Sequence, residues 1–121
     1  MLAPGLVGNR SLRVTDSDTA QAVGSGEVRV LATPRVVALA EAATVAAVAG
    51  VLEAGTTSVG TRVELDHLAP SPVGADVAAT AELVEVSGRR LTFTVRVKQD
   101  GREVARGRIT RAVVDRARFP G

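Results

Sequence analysis

The 121-residue chain reads as an α+β domain in which a curved antiparallel β-sheet wraps around one long central α-helix. Two observations predict it. The run Val36 to Leu52 has helical length and almost no polar face, so it belongs in an interior. After it come four alternating segments separated by Gly, Pro, Ser and Asp, the pattern of an antiparallel meander. A helix that needs cover on most sides and a sheet with one apolar face have few ways to pack except around each other.

The elements follow in chain order. Residues 1–10 contain Pro4, Gly5 and Gly8 and read as a loose lead-in. Ser11 to Thr15 alternates as a first strand. Asp16 to Gly26 is small and polar, a loop or short helical turn, and Glu27 to Leu31 is extended again. Thr33-Pro34 marks the start of the helix. A threonine hydroxyl there accepts from an orphan backbone N–H, and proline at the first helical position loses nothing by lacking its own. Gly55 follows the helix end. The meander strands are Thr57 to Leu68, Ala75 to Val86, Arg90 to Gln99 and Arg102 to Val114. Asp100-Gly101, between the last two, is a strong tight-hairpin signal. Residues 1–121 thus form one domain, and its open sheet edges suit pairing across a homodimer.

Composition narrows the function classes. The apolar residues are mostly Ala and Val, with two Phe and no Tyr or Trp. Small side chains gain less from burial, at roughly 25 cal/mol per Å², so a dimer contact would help this core. The net charge is only +2. The isoelectric point near 10.4 reflects Arg-rich basicity without Tyr or Cys to titrate below it. Arg is scattered and no aromatic platform accompanies it, which argues against a nucleic-acid partner. The absence of cysteine excludes disulfides, thiol catalysis and thiolate metal sites. The first ten residues lack a signal-peptide pattern, and the long apolar run is short for a membrane span and interrupted by Glu41. The expected location is the cytoplasm, away from any membrane.

Four residues stand out against this background. His67 is the only histidine. Counting back by twos places it with Leu65, Val63, Thr61 and Val59 on the helix-facing side of its strand, with Gly60 on the other side. It is either a hydrogen-bonded core histidine or a base near neutral pH. Glu41 is the only charge inside the helix after its first turn. A carboxylate there needs His67, a water, solvent or a sheet arginine as partner. Thr33 is a helix cap or a reacting hydroxyl. Thr44, one turn past Glu41, is expected to bond back to the helix backbone. Gly60 marks a bulge or a point where a ligand approaches the backbone. An acid, an imidazole and a hydroxyl gathered beside a buried helix point to acyl transfer.

The ordered set of motifs resembles the fluoroacetyl-CoA thioesterase-like family of hot-dog proteins over about residues 28 to 119. It comprises Leu31-Ala32-Thr33-Pro34, Glu41, Ser58-Val59-Gly60-Thr61, His67, Ala69-Pro70-Ser71-Pro72-Val73-Gly74, Ala81-Glu82-Leu83 and Val86-Ser87-Gly88-Arg89-Arg90-Leu91. The resemblance implies a homodimeric thioesterase that hydrolyses a small or medium acyl-CoA, with CoA part of the substrate and no metal or other cofactor. It places Thr33, Glu41 and His67 on catalytic positions and Gly60 on a substrate-contacting glycine. Arg111 falls on an arginine of the fluoroacetyl enzyme and is expected to bind substrate, although its neighbours in sequence give it no role. No phenylalanine occupies residues 15 to 32, where the fluoroacetyl enzyme gates its acyl pocket, so a more general acyl substrate is expected. Two alternatives share the fold: a non-catalytic acyl-CoA-binding domain, and an enoyl-CoA hydratase or dehydratase.

Overall fold

The computed structural model describes residues 1–119. Pro34 stands in the first turn of helix α2, Thr33–Ala47, whose buried face is Val36, Leu39, Ala40, Ala43, Thr44 and Ala47. Strands β1 (Val7–Arg13), β2 (Thr56–His67), β3 (Asp76–Ser87), β4 (Arg90–Gln99) and β5 (Arg102–Asp115) form one antiparallel sheet in the order β1-β3-β4-β5-β2. The core lies between this sheet and α2. Leu83, Leu91, Phe93, Val95 and Ile109 are fully buried on the sheet side. At the β4–β5 turn Asp100 takes φ 50° and Gly101 φ 78°, the left-handed pair that a two-residue hairpin requires.

Two elements differ from the sequence expectation. The supposed lead-in is structured: β1 starts at Val7, and the Gly5 and Leu83 amides donate to the Leu83 and Leu6 carbonyls respectively, each at 2.8 Å. Gly8 explains this. A Cβ at that position would run into the α2 backbone at Ala43 and Ala47, so glycine lets β1 lie directly on the helix. The helix also ends earlier than Leu52. Val48 leaves helical geometry at φ −110°, ψ 11°, and Gly50 turns the chain with φ 76°, so that Val48 is buried against the core.

Between β1 and α2 the chain makes a 3-10 turn at Asp16–Asp18 and a short helix α1, Ala20–Val23. Asp18 fastens this segment down. Its carboxylate accepts from the Thr15 amide at 2.8 Å, the Thr15 hydroxyl at 2.9 Å and Arg35 Nε on α2 at 3.0 Å. These bonds, the Thr15 amide first, hold the Asp18 pKa below its usual value against the opposing effect of burial. No helix among the described residues is long and apolar enough to cross a membrane.

Candidate active site

The candidate residues assemble as two clusters. At the first, Thr33 Oγ1 lies 2.8 Å from His67 Nδ1, joining the start of α2 to the end of β2. Thr33 is therefore not a helix cap. Ala32 holds the cap position, no side chain caps the helix, and the threonine hydroxyl is free to meet the imidazole. Burial pushes the His67 pKa below its ordinary 6.5, opposed by the backbone of Ala69. The ring is thus neutral at pH 7, with one nitrogen a donor and the other an acceptor. Its Nε2 is buried and has no hydrogen-bond partner among the described residues. A cleft of about 260 Å³ opens beside the pair, lined also by Ala20, Ser25, Val30, Leu31, Leu68, Ala69 and Pro70.

The second cluster surrounds Glu41. Arg111 Nη1 donates to Glu41 Oε2 at 3.4 Å, while Arg111 Nε and Nη2 donate to Ser58 Oγ at 2.8 Å and the Ser58 carbonyl at 3.0 Å. The Arg111 residue is 7% exposed; desolvation lowers its pKa and the Glu41 charge opposes that. Arg111, expected from the resemblance to bind substrate, thus has its guanidinium hydrogen-bonded to Glu41 and Ser58. Thr44 bonds back to the Glu41 carbonyl at 2.6 Å, as its place in the helix implies. A Cβ at Gly60 would collide with Glu41 Oε2, so glycine is what makes room for the carboxylate.

That contact also corrects a side assignment. Strict alternation puts Gly60 and His67 on opposite faces, yet both face α2. The register explains it: Gly60 pairs with Arg111 and Arg62 with Thr110, leaving Thr61 as a bulge that resets the alternation. The Thr61 hydroxyl donates to the Thr110 carbonyl at 3.2 Å.

Glu41 does not hydrogen-bond His67. Eight helical residues separate Thr33 from Glu41, about 12 Å along the axis. Seven strand residues separate Gly60 from His67, roughly 20 Å. One chain therefore carries two separate clusters, with the hydroxyl and imidazole at one and the carboxylate at the other. Ser58 was not singled out as a site residue. One signal could have exposed it: Arg111 follows Ala105, Gly107 and Ile109 on the inward face of β5, and an inward arginine must find a partner. Among the described residues no three His, Asp or Glu side chains are grouped to hold a metal ion.

This curled sheet around a helix is the hot-dog fold. A Thermanaerovibrio acidaminovorans hot-dog-like protein matches with TM-score 0.85 and 26% identity, covering 99% of this chain and 95% of that one. The family model for the fluoroacetyl-CoA-specific thioesterase matches residues 14–117, and the chain belongs to that family. A solved structure of the fluoroacetyl-CoA thioesterase superposes with TM-score 0.91 at 32% identity, covering 98% of this chain and 93% of that one. The fluoroacetyl-CoA thioesterase of Streptantibioticus cattleyicolor is 41% identical over 90 residues, 74% of this chain. The match spans 65% of that relative's length.

Proposed function

We propose that the protein is an acyl-CoA thioesterase for small or medium acyl groups, working as a homodimer whose two half-sites are joined across the subunit contact. The observation that carries the hydrolase reading is the 2.8 Å Thr33–His67 pair beside a cleft of mainly small apolar side chains. Family membership and the fluoroacetyl-CoA thioesterase relatives support the thioester substrate. Solved complexes of that enzyme with fluoroacetate and CoA and with acetyl-CoA support the CoA portion.

The separation of the two clusters within one chain supports the dimer. β2 is an edge strand, exposed from Gly60 through Glu64, and Ala38 and Val45 are exposed on α2 beside it. Edge strands of this kind invite antiparallel pairing. A two-fold axis between Val63 and Glu64 sets Gly60 opposite the partner's His67. Glu41 then faces the hydroxyl–imidazole pair of the other subunit.

In this reading His67, neutral at pH 7, takes the proton from the attacking water as its oxygen bonds to the thioester carbon. The tetrahedral intermediate collapses, the C–S bond breaks, and the imidazolium returns the proton to the departing CoA thiolate. Glu41 orients the water, and Thr33 holds the imidazole at Nδ1. The positive end of the α2 dipole lies beside the developing oxyanion.

Release of free thiol from a panel of acyl-CoAs tests the proposal, with wild type and His67→Ala measured side by side. Turnover that falls roughly 10²-fold or more in the variant is expected for loss of a positioned base. Saturable binding with no thiol release for any acyl length would replace the hydrolase with a binding domain. Loss of the enoyl double bond with the thioester intact would point to a hydratase.

A further inference from the structure

Resting on the hydrolase reading, we propose that Ser58 is a positioning residue, aiming Glu41 at the reacting water through Arg111. The three bonds of the Arg111 guanidinium are unequal. Two go to Ser58, at 2.8 Å to its hydroxyl and 3.0 Å to its carbonyl, and the longest goes to Glu41, at 3.4 Å. A guanidinium is a planar fork, so fixing Nε and Nη2 fixes the direction in which Nη1 points. Ser58 therefore sets where the charge sits, and the Glu41 carboxylate settles against it.

The strand geometry serves this arrangement. Gly60 pairs with Arg111 and Ser58 with Val113, so the arginine reaches diagonally along β2 to Ser58. Gly60, between them on the same face, carries no side chain to block the carboxylate. Burial makes the arrangement sensitive, because a buried N–H that loses its acceptor finds no water in exchange. With the Ser58 hydroxyl gone, Nε–H is orphaned and the guanidinium must move to satisfy it. The carboxylate then loses its fixed neighbour.

The test compares kcat and KM for Ser58→Ala, Ser58→Thr, Glu41→Gln and the Ser58→Ala/Glu41→Gln double variant on one acyl-CoA. Ser58→Ala is expected to lower kcat about tenfold, the scale of one hydrogen bond to a charged group, with KM changed less than about twofold. Ser58→Thr, which keeps the hydroxyl, should recover most of that loss. In the Glu41→Gln background Ser58→Ala should cost less than about twofold more, because the group it serves is already gone. An undiminished tenfold loss in that background would overturn the proposal, since Ser58 would then act by another route. A crystal structure of Ser58→Ala reads the same point without turnover. Displacement of Arg111 from Glu41 is expected, and an unchanged pair sinks the idea. Displacement in a chain that hydrolyses no thioester would overturn the hydrolase reading alone.

Discussion

The two side-chain clusters are built on opposite plans. At the Thr33–His67 end the hydroxyl is exposed, the imidazole is half-buried, and among the described residues no charged side chain hydrogen-bonds either residue. At the Glu41 end a buried guanidinium is locked by two bonds to one serine and holds the carboxylate against a glycine. The first end leaves a neutral group free to exchange a proton. The second fixes a charge and gives it little freedom. A hydrolytic site needs both properties, and keeping them on separate elements lets each be tuned without disturbing the other.

The largest effect is expected when the two clusters are separated genetically. His67→Ala and Glu41→Gln should each be nearly inactive alone. After unfolding and refolding together, half the dimers are mixed, and one of the two sites in each mixed dimer keeps both residues intact. About a quarter of wild-type activity should return in thiol release, as two-fold symmetry requires. No recovery, with mixed dimers shown by native mass spectrometry, would place the whole site within one chain.

A smaller effect is expected at the rigid end. Gly60→Ala puts a methyl where the Glu41 carboxylate lies, so the carboxylate must swing aside. The loss in kcat should be about tenfold, comparable to removing one charged hydrogen bond, while the thermal midpoint shifts little because the displaced group is a side-chain tip. An unchanged kcat would show that the position of Glu41 is not held tightly.

The smallest effect belongs to the neutral end. Because burial lowers the His67 pKa, the acid limb of kcat/KM should fall below pH 6.5, and activity should persist where a free imidazole would be protonated. The linked stability has a definite sign. Well above pH 6.5 the ring is neutral in both folded and unfolded chains and contributes no pH dependence. As pH falls from 6.5 through the depressed folded value, the unfolded chain takes up the proton first and stability declines. His67→Gln should remove that part of the decline in urea melts run across this range. An acid limb at or above 6.5 would show that the ring is not desolvated.

Much of the fold was legible because it rests on local patterns. β4 runs from Arg90 to Gln99 as its alternation implies, and the other meander strands begin and end within one residue of their expected limits. The order of the first ten residues is not legible in the sequence, because glycine signals both looseness and close approach, and only the helix beneath Gly8 distinguishes them. At the site, the residue types and spacing pointed to Thr33, Glu41, Gly60 and His67. Their grouping did not follow, since alternation cannot foresee the extra residue at Thr61.

Sequence alone determined the start of the helix, the four meander strands and the supply of chemical groups. Each depends on residues a few positions apart: proline in the first helical turn, apolar alternation, Asp-Gly at a turn. The tertiary structure decided which groups meet. Ser58 and Arg111 lie 53 residues apart and Glu41 and Arg111 70 apart. Such contacts are set by strand register, and one bulged residue is enough to turn a side chain from solvent to the helix.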